Sequence, residues 1–194
     1  MTKIIGLTGG IGSGKTMVAK YIESLGIPVY IADDQAKILM STPEIIKAIS
    51  NEFGTHIVDN EMLNRKKLAQ LVFNNPDKLK KLNSIVHPQV KRHFDEWLKK
   101  HKNAPLVVKE AAILFESGGD KYCDAIITVT SSIETRVQRI MERDKTDRES
   151  ILQRMDNQWT DEQRIAKSDY VIHNISVDET HKQIDEILNL LTNQ

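Results

Sequence analysis

The chain has 194 residues, the length of one compact domain with room for an inserted subdomain, and its 40% hydrophobic and 28% charged residues are the balance of a chain that buries a core. Twenty-seven Lys and Arg against 27 Asp and Glu leave no net charge, so any preference for a polyanion must be local, and neither nucleic acid nor a membrane is expected as a partner. The single cysteine, Cys123, excludes an intrachain disulfide and a CxxC metal site; with no apolar run near the roughly 20 residues of a membrane span, the chain reads as cytoplasmic.

The first apolar run, Lys3 to Thr8, predicts a strand. Gly9-Gly10-Ile11-Gly12-Ser13-Gly14-Lys15-Thr16 follows it and fits G-x-x-x-x-G-K-[ST], and the helical pattern Met17 to Ile22 comes next. Glycines let the backbone turn its amides toward phosphate oxygens, and the start of a helix adds a field that favours negative charge. Lys15 is placed to reach β and γ phosphates, and the Thr16 hydroxyl to sit on Mg²⁺. Gly10, Ile11, Gly12, Ser13, Gly14, Lys15, Thr16 and Met17 are therefore the expected nucleoside triphosphate contacts, with the reaction left open.

A second run, Ile27 to Ile31, predicts another strand, expected to lie beside the first. Asp33 and Asp34 follow at its carboxyl end, where open α/β sheets gather ligands. A carboxylate there can orient a substrate hydroxyl and accept its proton; Asp33 is favoured for that role and Asp34 for capping or solvent. From about residue 36 to 103 helical periodicity dominates, with breaks expected at Gly54 and His87-Pro88, so a helical insertion is expected. Between Arg65 and Lys102 eleven Lys and Arg face three acidic residues, a net +8 that is either a solvated helix surface or a basic lobe beside an anionic substrate.

Three further runs, Leu106 to Val108 with its continuation, Ala125 to Thr130 and Tyr170 to Ile172, lack polar alternation and suit strands covered on both faces, which gives a five-stranded parallel sheet flanked by helices. Helix starts are marked by Ser or Thr three residues before Glu or Gln at Ser41, Ser131, Thr146, Thr160 and Ser176. Arg136, Arg139 and Arg143 share one helical face, and Arg148, Arg154 and Arg164 follow in two short helices. One or two of these are expected on a transferring phosphoryl and the rest in ion pairs with acidic neighbours. Trp97 and Trp159 are read as helical core residues, and His87 as structural.

Taken in order, the phosphate-loop motif, Ala32-Asp33, Leu82 to Pro88, Ile113-Leu114-Phe115-Glu116, Arg143-Asp144, Arg154 with Gln158, and Ser168 to Asn174 closely resemble the dephospho-coenzyme A kinase family over nearly the whole length. The resemblance implies a fold of the P-loop NTPase type, residues 1–194 forming one kinase domain with a helical substrate-binding subdomain at about 36–103 and a helical lid at about 139–166. It implies transfer of the ATP γ-phosphoryl, with Mg²⁺, to the ribose 3′-hydroxyl of dephospho-coenzyme A. Asp33 matches the family's catalytic aspartate, Arg139 a lid arginine brought to the phosphates, and Asn174 a position near adenine; Lys15 completes the expected catalytic set, and Arg143 joins the nucleotide contacts. Ile31, Ala112, His173 and Ser176 depart from the usual pattern, leaving Lys15, Thr16 and Asp33 intact. The expected partner is dephospho-coenzyme A, and the expected state a monomer or weak homo-oligomer. The nearest rival is another small kinase with the same loop; a GTPase switch ranks low, because no Asn-Lys-x-Asp segment is present.

Overall fold

The computed structural model describes residues 2–73 and 75–192. In chain order the elements are β1 (Lys3–Thr8), α1 (Lys15–Ser24), β2 (Val29–Ile31), α2 (Ala32–Leu39), α3 (Pro43–Phe53), β3 (Val58–Asp59), β4 (Met62–Leu63), α4 (Arg65–Phe73), α5 (Pro76–Lys100), β5 (Leu106–Glu110), β6 (Ala125–Thr130), α6 (Ile133–Asp144), α7 (Arg148–Asp156), α8 (Asp161–Ile165), β7 (Tyr170–His173) and α9 (Val177–Thr192). They fall into two compact units: one takes the chain up to Ile31 and from His101 onward, the other is Ala32–Lys100.

The first unit is built on a five-stranded sheet in the order β2-β5-β1-β6-β7, every pairing parallel. Ile5, Leu7, Leu106, Val108, Ile127, Val129 and Ile172 meet Val18 and Ile22 of α1 and Ile184, Leu188 and Leu191 of α9 in one core. Each such side chain contributes about 1.5–3 kcal/mol on burial, enough to hold strands whose own hydrogen bonds add little net stability. The strand order corrects one expectation. β5 lies between β1 and β2, so the strand before Asp33 is one place removed from the phosphate-loop strand. In this register the ends of three strands align, with Glu110 opposite both Leu7 and Ile31.

The second unit has its own core of Ile45, Ile49, Ile57, Leu68, Val72 and Val86. It is not wholly helical: β3 and β4 pair as a small antiparallel hairpin, turned by Asn60 (φ 49°) and Glu61 (φ 63°). Two positive φ values in succession are the geometry whose twist suits a tight hairpin. The expected break at His87-Pro88 is absent, and α5 runs through Pro88 for 25 residues. Proline costs a helix interior about 3 kcal/mol. Leu82, Ile85 and Val86 before it and Val90 after it pack against the same core, and that burial outweighs the lost hydrogen bond.

The +8 counted from Arg65 onward also shrinks in three dimensions. Lys67 pairs with Asp59 (2.7 Å), Lys81 with Glu52 (2.6 Å) and Arg92 with Glu44 (4.0 Å), acids that precede the counted window. Across Ala32–Lys100 twelve Lys and Arg face nine Asp and Glu, leaving +3.

Helix starts are found where expected, but three caps move by one residue. Thr42 rather than Ser41 precedes α3, Ser132 rather than Ser131 caps α6, and Asp147 rather than Thr146 caps α7. Thr160 forms the full reciprocal box with Gln163 at α8, and Ser176 Oγ accepts the Glu179 N–H at α9.

Candidate active site

The turn from β1 into α1 forms the phosphate loop. Gly14 caps α1 at φ 101°, a left-handed conformation that glycine adopts without strain, and Met17 and Val18 N–H close onto its carbonyl at 3.0 and 3.2 Å. Lys15 Nζ lies over the loop, donating to the Gly9 carbonyl at 2.8 Å and to that of Gly10 at 3.4 Å. Thr16 is exposed on the first turn of α1, and the Ser13 side chain is buried.

Side chains from other elements converge on this loop. Asn174, buried just past β7, donates from Nδ2 to the Ser13 carbonyl (2.8 Å) and accepts at Oδ1 from the Thr180 hydroxyl of α9 (3.2 Å). Its amide is thus engaged at both ends in bracing the loop. No side chain fits at Gly14, because a Cβ there would collide with Asn174 Nδ2. Arg139 Nη1 approaches the same Ser13 carbonyl at 3.5 Å, which brings this expected phosphate-directed arginine to the loop.

The other arginines divide by burial. Arg143 Nε and Nη2 hold the Asp144 carboxylate at 2.6 and 3.0 Å, and Arg154 Nη1 adds a third contact at 3.0 Å. Arg143 above all, with Arg154, draws the Asp144 carboxyl down to a pKa of about 2. Arg143, expected on the nucleotide, is therefore found on Asp144. Arg148 forms a two-pronged pair with Glu134. Arg136 and Arg164 are buried, and sequence spacing gave no sign of that. Arg136 Nε donates to the Ile11 carbonyl at 2.9 Å, while Ile11 N–H is received by Gln158 Oε1 at 2.9 Å. Both polar backbone atoms of Ile11, one of the expected nucleotide contacts, are held by protein side chains.

Among the carboxylates, Asp33 and Asp34 lie in the first turn of α2, which begins at Ala32 directly after β2. Neither is therefore the N-cap. Asp34 pairs with Lys37 at 2.7 Å on the surface, and Asp33 is exposed. Glu116 accepts from Arg164 Nη2 (3.1 Å) and from Trp159 N–H (3.3 Å), so its charge is committed to an ion pair. Trp159 lies not in a helix but between α7 and α8, its ring stacked on Phe115 at 5.4 Å and 4°. Glu110 is buried at the end of β5, next to the strand that carries the loop. The signal for it was a lone acid closing an apolar strand run.

Magnesium takes hard oxygen ligands, few of them from protein, and keeps waters and substrate phosphates for the rest. The exposed hydroxyl of Thr16 beside the loop and the carboxylate of Glu110 on the adjoining strand are of that type. The donor set fits a magnesium ion brought in on a nucleotide.

Known proteins are similar to this chain in architecture and in sequence. A family model described as dephospho-CoA kinase matches residues 3–179. A dephospho-CoA kinase of Fusobacterium nucleatum is 45% identical over 174 residues, covering 89% of this chain and 90% of the relative. One from Bacteroides fragilis is 37% identical over 188 residues, covering 96% and 90%. A solved structure from Thermus thermophilus superposes with a TM-score of 0.88 at 34% identity, covering 97% of both chains. A phosphate loop on a five-stranded parallel sheet, with sequence agreement extending through both units, leads to one assignment: the chain belongs to the dephospho-CoA kinase family.

Proposed function

We propose that the loop from Gly9 to Thr16 holds the phosphates of ATP and that Asp33 directs the ribose 3′-hydroxyl of dephospho-coenzyme A at the γ-phosphorus, giving coenzyme A and ADP. The reaction itself, ATP-dependent phosphorylation of dephospho-coenzyme A, is that of the family. The observation that supports the division of roles is the convergence of Lys15, Arg139 and the start of α1 on one loop.

Each residue has a physical task. The amides of the loop and of the first turn of α1 receive phosphate oxygens, with the helix dipole favouring their charge. Lys15 exchanges its loop carbonyls for the β and γ phosphate oxygens, a trade of neutral acceptors for charged ones that strengthens its hydrogen bonds. Arg139 carries a guanidinium to the edge of the loop and stabilises charge as it spreads over the equatorial oxygens of the transferring group. Asp33 orients the acceptor hydroxyl and takes its proton. Thr16, through its hydroxyl, and Glu110, through its carboxylate, would hold a magnesium ion, which would supply neutralisation of phosphate charge. Asn174 is engaged with Ser13 and Thr180, and its role here is to fix the loop. The same reading has the enzyme acting in the cytoplasm on small molecules, as a monomer or weak homo-oligomer.

The test is a coupled ADP-release assay with ATP and a panel of dephospho-coenzyme A, AMP, CMP and shikimate, with products identified by mass. Turnover confined to dephospho-coenzyme A, with one phosphoryl group gained, supports the proposal. Equal or better turnover of another acceptor refutes it.

A further inference from the structure

The phosphate loop is held from outside as well as by its own turn. Ile11 packs its side chain against Val137 and Ile140 of α6 and Ile151 of α7, while its N–H and carbonyl go to Gln158 and Arg136. Arg136 is the pivot of this arrangement. Its side chain is only 8% exposed; Nε holds the Ile11 carbonyl at 2.9 Å, and Nη1 reaches Asp161 Oδ1 at 3.1 Å. The guanidinium also lies directly against Gly10, where a Cβ would fall 2.7 Å from Cζ.

Asp161 opens α8 and is fastened on its other side. Its Oδ2 accepts from the Thr130 hydroxyl at the end of β6 (2.5 Å), and Arg164 Nη1 lies 3.6 Å from Oδ1. A guanidinium is a planar fork whose donors keep fixed relative directions. Locking one prong on a carboxylate therefore sets the direction in which the other prong presents a hydrogen to Ile11.

The geometry points to Arg136 and Asp161 as a two-residue latch, positioning residues that set the shape of the phosphate loop for ATP without touching it. The inference rests on the reading of this loop as the ATP site. Its energetic content is that the latch is fixed before ATP arrives, so the ordering cost of the loop falls on folding rather than on binding. Loosening it is expected to weaken ATP rather than the second substrate, because the latch's partners named here, Ile11, Asp161 and Thr130, all belong to the unit that carries the phosphate loop.

The experiment measures KM for each substrate, kcat and ATP affinity by calorimetry for the wild-type protein, Asp161→Asn, Arg136→Lys and the double variant, with circular dichroism to establish folding. Asp161→Asn keeps the acceptor for Thr130 but removes the charge. Arg136→Lys keeps a charge for Asp161 but lacks the planar fork that fixes the direction of one donor relative to the other. Each single variant is expected to raise KM and Kd for ATP about tenfold or more, the scale of a charge-assisted hydrogen bond, and to leave KM for dephospho-coenzyme A within about twofold. The double variant is expected to be no worse than the poorer single one, because both substitutions open the same latch. Wild-type ATP affinity in folded variants, equal rises in both KM values, or single effects that multiply in the double variant would each overturn the latch. Should Asp161→Asn not fold, Arg136→Lys decides by itself. A wild-type protein that fails to bind ATP would remove the reading beneath the proposal, whereas normal wild-type binding with unaltered variants removes the latch alone.

Discussion

Replacing Arg164 by Met should destabilise the protein by about 3 kcal/mol while nearly filling the same space. Arg164 is fully buried, pairs with Glu116 at 3.1 Å and Asp161 at 3.6 Å, and donates to the Trp159 carbonyl. Without it Asp161 keeps Arg136 and Thr130, so the loss falls mainly on Glu116, which among the described residues keeps the long Trp159 N–H contact. Breaking a buried pair from one side costs about 3–5 kcal/mol, and the lower end applies because Glu116 keeps 20% of its side chain in solvent. Against a total stability of about 5–15 kcal/mol this is a large fraction, and at roughly 2–4 °C per kcal/mol for this chain length it lowers Tm by about 6–12 °C. Urea denaturation followed by circular dichroism reads the difference directly, with a second variant, Arg164→Met with Glu116→Gln, expected to recover part of it. A change below about 1 kcal/mol in the single variant would show that the pair is not what holds Glu116 and the α7–α8 connection in place.

Two further outcomes concern the site and a third the packing of Cys123. Lys15→Ala should reduce turnover by at least two orders of magnitude without unfolding the chain, because water cannot replace a fixed charge at the β and γ phosphates; near-normal turnover in steady-state assays would exclude the loop from the mechanism. Arg139→Ala should lower kcat more than it weakens ATP, since its contact strengthens as charge redistributes, and an effect confined to KM for ATP would assign it to ground-state binding. Burial pushes the Cys123 thiol up to about 11, so alkylation by iodoacetamide should be slow at pH 8 and accelerate only as pH approaches that value; rapid labelling of folded protein at pH 8 would contradict the burial of the sulfur.

The five strands were legible because runs such as Ala125 to Thr130 are apolar on both faces, which a sheet covered on both sides requires. Their order was not legible, because parallel strands are joined by long crossovers and nothing in the spacing of Ile27 to Ile31 shows that β5 enters beside it. Caps moved by one residue wherever two acceptors are adjacent, as at Ser131 and Ser132; the Ser131 hydroxyl is instead turned to the Asn174 carbonyl at 3.1 Å. The β3–β4 hairpin gave no periodic signal over two-residue strands, and Glu61 in a left-handed turn is not a residue that marks one. Within the site, the loop and Lys15 were evident from glycine spacing alone. Arg136 could not be told from Arg143, since both sit at helical intervals from Arg139, and only the packing of α6 decides which is buried against the loop and which pairs with Asp144.

Rapid-quench measurement of coenzyme A formation in Asp33→Asn, under saturating ATP and dephospho-coenzyme A, decides whether Asp33 has the role in phosphoryl transfer proposed for it. The substitution keeps size and one acceptor oxygen and removes charge and basicity. Hydroxyl orientation and proton acceptance together are worth about 10²- to 10⁴-fold, so the predicted result is a loss of phosphoryl transfer in that range, with calorimetry showing both ligands still bound. Transfer at the wild-type rate in a protein that binds both would contradict it.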